Sequence, residues 1–356
     1  MEGDQQSEAM ISSLLSYLCL LDTLATPVYA VLTLVALSSL AVPFLQDLAS
    51  HGKTRDTAST SASTQQQHRY RSSAAFFRSL VRRLSHGKEF LVPKKSFLHF
   101  YVCGLLSFAV LYLGASFAAP TMGRNLSLSH STTLALLVIH LSRRLYECLY
   151  VHRWTSQSKM HLAGYLVGIL HYVLLPFVFI SMPCSHRNGY KEGMPVSSLH
   201  FRDSESSSSQ WVISTVVSLF CLWAQYQQYR HHCLLARLRS SNIDNKSSKS
   251  KSNAKPAKIL YSLPVGGWFR FVTCPHYFAE ILIYVAFAIL LEMQMQMQLQ
   301  IHRDHYVHTR RFRYFFLLAW VATNLNVSAL LNHNWYTKHI PNHTRLGRKA
   351  IIPLIL

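Results

Sequence analysis

Seven stretches of about twenty mainly apolar residues dominate this chain, near 11–45, 97–119, 132–152, 161–183, 211–229, 276–292 and 313–331. Each is long enough to cross the hydrocarbon core of a bilayer as a helix, which satisfies its own backbone amides there. The expected fold is therefore all-α: a polytopic membrane protein, a bundle of about seven transmembrane helices. The first stretch is the longest and holds Pro27 and Pro43, which makes it a candidate for a broken span. Its leading tail is acidic (Glu2, Asp4, Glu8) and the apolar run is too long, so it does not read as a cleavable signal peptide. Residues 1–95 read as the first span plus a basic loop and residues 96–356 as a six-helix region, together one integral membrane domain.

Orientation follows from Lys and Arg in the loops. The segments 46–96, 153–160, 230–275 and 332–356 hold 25 of them, and the alternate segments 120–131, 184–210 and 293–312 hold 7. An N-terminus in the lumen and a C-terminus in the cytosol are expected. Asn125-Leu126-Ser127 then falls on the luminal side, placed to accept a glycan, while the similar triplet at Asn245 falls on the cytosolic side. The partner implied is the bilayer. Half of the 356 residues are hydrophobic, which excludes intrinsic disorder. Lys and Arg number 35 against 15 Asp and Glu, but they sit between apolar runs and not on one polar domain, so nucleic acid is not an expected partner. Residues 241–258 read as a polar basic loop, 56–75 as a Ser/Thr/Gln-rich segment, and Met293–Gln300 as an interfacial extension of a span.

Motifs exclude several chemistries. The seven cysteines are scattered without a CxxC, so they read as buried thiols and not as a zinc site or a disulfide framework. There is no GxGxxG, and Gly52-Lys53-Thr54 lacks the leading glycine of a phosphate loop, so any nucleotide must be held without a Rossmann or P-loop scaffold. Gly164 and Gly168 form a GxxxG that reads as close helix packing. His302, His305 and His308 resemble a metal cluster, as does His231-His232, but the two groups are expected on opposite sides of the membrane. They read as loop histidines, and no metal is expected.

Charges at membrane depth are costly and tend to mark sites. His140, Arg143, Arg144 and Glu147 share one helical face. They read either as an intrahelical ion pair with snorkelling ends or as the cationic wall of a polar cavity. His276 and Glu280 share a face in the first turns of the sixth span, where a carboxylate also gains from the helix dipole. Asp22 has no evident partner and reads as an unassigned polar contact.

Six blocks of sequence together resemble the steroid 5α-reductase family, most closely its type 3 branch of polyprenol and polyprenal reductases. They are LQDLASHGKT (45–54), VPKKSFLHFY (92–101), HLSRRLYECLYV (140–151), QYRHHCLLARLR (228–239), LPVGGWFRFVTCPHYFAEILIYV (263–285) and LNHNWYTKHIPNHTRLGRKAIIPLIL (331–356). The resemblance implies a seven-helix bundle in the endoplasmic reticulum membrane, with NADPH in a cavity open to the cytosol. By position it implies cofactor contacts from Lys53, Arg144, Gln228, His232, Arg239, Tyr261, His276, Glu280, Asn332, His333 and Tyr336. The steroid-reducing branches carry a Glu and a Tyr as donor partners where this chain has Leu91 and Leu141. Steroid is thus a poor main substrate, and His99, Tyr101 and His140 are the nearest proton-donor candidates.

The resemblance implies reduction of the α-isoprene double bond of a long-chain isoprenoid in dolichol synthesis, which supports protein N-glycosylation. Hydride attack needs an electron-poor carbon, and an enal supplies one where an allylic alcohol does not. Polyprenal is therefore expected as the substrate, with polyprenol as the alternative. Two other readings are a 3-oxo-Δ4-steroid or enoyl-CoA reductase on the same scaffold, and a seven-helix receptor or transporter.

Overall fold

The computed structural model describes residues 2–39, 90–118, 128–154, 158–180, 204–249, 262–301, 305–340 and 343–353. Its long helices answer the apolar stretches one for one. They are α1 (Glu2–Ser38), α2 (Phe97–Ala118), α3 (Leu128–Tyr146), α4 (Leu162–Phe179), α5 (Ser204–Lys249), α6 (Pro275–Ile301) and α7 (His305–His339). Five windows are long and apolar enough to cross a membrane: 16–38, 94–116, 162–179, 275–296 and 311–339. The other two helices dilute their apolar sequence with polar side chains, His140, Arg143 and Arg144 on α3 and Gln225 and Gln228 on α5.

Two boundaries differ from expectation. Pro27 sits inside α1 without breaking it; a membrane helix loses one amide bond at such a proline and neighbouring groups compensate. Pro43 lies outside the described residues. The helix α5 runs through Lys249, into the tract read as a loop, because no Gly or Pro between Ser204 and Lys249 stops it. Met293–Gln300 continues α6, as expected of a span extension.

Packing runs in a closed circuit. α1 lies against α4 and α7, α4 against α2, α2 against α3, α3 against α6, and α6 against α7. α5 lies along α6 and α3. Side chains such as Tyr29, Leu111, Leu137, Leu141, Phe179 and Phe287 fill the interior, while Val31, Leu34, Leu106, Val212, Leu219 and Phe315 face outward. Helices apolar on both faces suit burial in lipid. The α2–α4 contact is close because a Cβ at Gly168 would run into the Phe100 ring; this half of the GxxxG serves helix packing.

Three features were not legible in the sequence. A short ribbon precedes α2, with β1 (Leu91–Pro93) antiparallel to β2 (Lys159–His161) and Leu91 opposite His161. Asp22, which had no evident partner in the sequence, is buried in an ion pair with Arg313 of α7. Cys19 is disulfide-bonded, so the reading of every cysteine as a thiol fails there; the other described cysteines are free.

Candidate active site

The site is built where α3 ends. Helical spacing turns His140, Arg143, Arg144 and Glu147 toward α5 and α6, and at Glu147 the helix widens into a π-turn, Glu147–Val151. His152 N–H closes that turn on the Glu147 carbonyl at 2.8 Å. The Glu147 side chain is fully buried. One of its oxygens accepts from Arg143, and the other accepts from Arg144 and from His232 Nδ1 at 2.6 Å.

The two arginines are used differently. Arg143 spends all three nitrogens inside the protein, donating to Glu147, to Gln225 Oε1 at 3.4 Å and to Gln228 Oε1. Arg144 donates to Glu147 and, through its second terminal nitrogen, to the Tyr101 hydroxyl at 2.7 Å. Its Nε is buried and has no partner among the described residues.

A second layer lies on α6. Gln228 donates to the Glu280 carboxylate and to the His276 carbonyl, the latter at 3.4 Å. His140 Nε2 lies 3.3 Å from Glu280 Oε1 but out of hydrogen-bond alignment. The His276 ring stands 5.4 Å from that of His232 and 4.2 Å from that of Tyr277, and its Nδ1 is buried with no partner among the described residues. Further inside, the Tyr101 and Tyr172 rings meet edge-on at 4.9 Å, and His171 Nε2 lies 3.4 Å from the Tyr284 hydroxyl.

On the C-terminal extension of α5, His231 Nε2 accepts from Trp268 N–H at 3.3 Å. That bond needs an unprotonated ring. Burial, and then the neighbouring His232, push the His231 pKa down to about 4. The turn that presents Trp268 uses Gly266 at φ 95° and Gly267 at φ 51°, where a side chain would be strained.

The C-terminal tail returns to the site through a parallel bridge between Val272 and Lys349. Thr273 Oγ1 then lies between His333 Nδ1, at 2.8 Å, and His343 Nε2, at 3.2 Å, and Tyr336 stacks on His343 at 5.5 Å. Arg348 donates to the Pro264 carbonyl at 2.8 Å, and burial lowers its pKa from the ordinary arginine value. Asn332 donates to the Ser328 carbonyl at 2.8 Å and lies beside Tyr277, whose ring adjoins that of His276.

The structure thus brings Tyr101, His140, Arg144, Gln228, His232, His276 and Glu280 into one network, with Asn332, His333 and Tyr336 adjoining it. Arg239 is exposed at the outer edge, donating to the Arg153 carbonyl at 3.1 Å. His99 does not join. It is exposed and bonds the Tyr165 hydroxyl at 2.9 Å, because two residues before Tyr101 is a rotation of about 200° on a helix. Lys53, Tyr261 and the side chains of the His302, His305 and His308 group lie outside the described residues. Sequence reading placed Glu147 on the α3 face with the two arginines but gave it no contact or catalytic role, and it did not name Gln225 or Thr273. Glu147 was the findable one, three and four residues from two arginines.

Glu147, His152 and His232 bring ligand atoms within 4.8 Å of one another, close enough for a metal ion. Two guanidinium groups already hold that carboxylate, so a cation there would meet fixed positive charge. The donor set suits a dinucleotide better. Arg144 Nε and His276 Nδ1 are buried polar atoms without partners among the described residues, and such groups are costly unless a ligand takes them. Cations from separate helices also match phosphate geometry.

Comparison with known proteins agrees. Residues 187–356 match the 3-oxo-5-alpha-steroid 4-dehydrogenase family. The chain is 32% identical to a polyprenal reductase of Caenorhabditis elegans, over 78% of this chain and 82% of that protein. It is 31% identical to a polyprenal reductase of Saccharomyces cerevisiae, over 79% and 80%. It is 28% identical to the human polyprenal reductase, over 75% and 79%. At that identity over three-quarters of its length, the chain belongs to the steroid 5α-reductase family, and its relatives there are polyprenal reductases.

Proposed function

We propose that this protein is an NADPH-dependent oxidoreductase that saturates the α-isoprene double bond of polyprenal in dolichol synthesis, and so supports protein N-glycosylation. The names of the relatives support the substrate class. The observation that carries the chemistry is Arg144, with one nitrogen on the Tyr101 phenol and a buried Nε left for a ligand.

Arg144, His276 and Arg239 are the groups for the cofactor's phosphates, with Lys53, Gln228, His232, Tyr261, Asn332, His333 and Tyr336 as further contacts. Glu280 accepts from the carboxamide. When bound, NADPH supplies the hydride for the β-carbon and is oxidised to NADP+. The charge that this sends to the carbonyl oxygen needs a donor, and the α-carbon needs a proton. Tyr101 is the better placed of the donor candidates. Arg144 donates to its oxygen and so stabilises the charge left when the phenol gives up its proton. His140, beside Glu280, is the second group in reach of the network.

The site opens to the cytosol from a multi-pass protein of the endoplasmic reticulum membrane, with a luminal N-terminus and a cytosolic C-terminus. The disulfide at Cys19, in the N-terminal half of α1, supports that orientation, since the lumen is oxidising and the cytosol is not. The isoprenoid tail lies in the bilayer against the apolar helix faces.

The test is NADPH oxidation by purified protein in detergent with polyprenal, polyprenol, a 3-oxo-Δ4 steroid or a 2-enoyl-CoA. Polyprenal should turn over and polyprenol alone should not. Efficient turnover of polyprenol would refute the enal requirement, and preference for steroid or enoyl-CoA would refute the substrate.

A further inference from the structure

Glu147 touches no atom expected to react, yet three side chains of the site converge on it. Its two oxygens are split: Arg143 takes one, and Arg144 and His232 share the other. Arg143 is itself pinned by Gln225 and Gln228, so the carboxylate has no free rotation. A guanidinium is a rigid planar fork, and fixing one of its nitrogens aims the others. With one Arg144 nitrogen on Glu147, the second falls on the Tyr101 oxygen at 2.7 Å.

His232 follows the same logic. Its Nδ1 lies 2.6 Å from the Glu147 oxygen and 2.9 Å from an Arg144 nitrogen. The carboxylate only accepts and the guanidinium only donates, so one ring nitrogen cannot serve both. The shorter contact makes Nδ1–H the donor to Glu147 and leaves Nε2 as the lone-pair nitrogen. The backbone is committed as well, because Glu147 opens the π-turn and its carbonyl accepts from His152.

We infer that Glu147 is the positioning residue of this site: it holds Arg144 against the Tyr101 phenol and His232 in its Nδ1–H tautomer, and so ties cofactor binding to proton delivery. This role rests on the reductase reading above.

The test is a cycle of full-length variants in detergent: Glu147→Gln, Glu147→Asp, Tyr101→Phe and the double variant Glu147→Gln/Tyr101→Phe. Glu147→Gln should lower kcat with polyprenal by roughly 10- to 100-fold, a part of the roughly 100- to 10,000-fold that a positioned proton donor contributes, with KM for polyprenal unchanged. Glu147→Asp, which keeps the charge, should recover part of that loss. The double variant should be no slower than Tyr101→Phe alone, because both changes remove the same donor. Without activity as a readout, NADP+ should raise the melting temperature of Glu147→Gln less than that of wild type.

Additive losses in the double variant, or a Glu147→Gln protein as fast as wild type, would overturn the role. If Glu147→Gln does not fold, the same cycle run with Glu147→Asp separates additive from non-additive losses in its place. An inactive wild type sinks the reductase reading and this role with it. An active wild type with additive variants sinks the role alone.

Discussion

Adjacent arginines on α3 show how little residue type says without its partners. Arg143 has every nitrogen engaged by Glu147, Gln225 or Gln228, whereas Arg144 keeps a buried Nε that no described residue engages. Arg144→Ala should therefore weaken NADPH binding roughly 10- to 100-fold, the loss of a charge-assisted contact or two. Arg143→Ala should chiefly lower the melting temperature. Fluorescence titration of NADPH, alongside melting in detergent, separates the two, and equal losses of affinity would contradict the assignment. The pair was legible as a cationic face because residues three and four apart meet on a helix. Which arginine stays open was not, since Gln225 and Gln228 come from another helix. His99 makes the same point in reverse: it looked equivalent to Tyr101 in sequence but lies on the opposite side of α2.

At the scale of elements, the distribution of charge reaches into the packing. The segments outside the seven apolar stretches hold all of the 35 Lys and Arg except Arg143, Arg144 and Arg313, and each of these three meets a carboxylate. Arg313 pairs with Asp22 of α1 and donates to the Phe177 carbonyl at 3.1 Å, near the C-terminal end of α4, where carbonyls lack helical partners. One guanidinium thus joins α1, α4 and α7. Asp22→Ala leaves that buried cation without its carboxylate and should cost about 3–5 kcal/mol, visible as a large drop in melting temperature. A melting temperature unchanged by Asp22→Ala would mean that the pair does not hold the three helices together. Sequence could flag both residues as out of place in lipid; only packing, across 291 positions, could pair them.

For the whole molecule, the reductase and the receptor or transporter readings part on one observation. A protein that binds NADPH when folded gains about 2.7 kcal/mol at a hundred times the dissociation constant, so NADPH should raise its melting temperature and NADH should do so less. No shift with either would favour a protein that does not bind the nucleotide. The mostly helical architecture, the seven stretches and the stranded polar groups His140, Arg143, Arg144, Glu147, His276 and Glu280 could be read from sequence alone. Hydrocarbon admits few backbone solutions, and apolar length and stranded charge are local properties of the chain. The closed circuit of helices, the return of the C-terminal tail through the Val272–Lys349 bridge, the Asp22–Arg313 pair and the placing of Tyr101, but not His99, against Arg144 came only with tertiary structure. Each depends on which side chains from distant segments face one another, and helical periodicity fixes a face of a helix without saying what stands across from it.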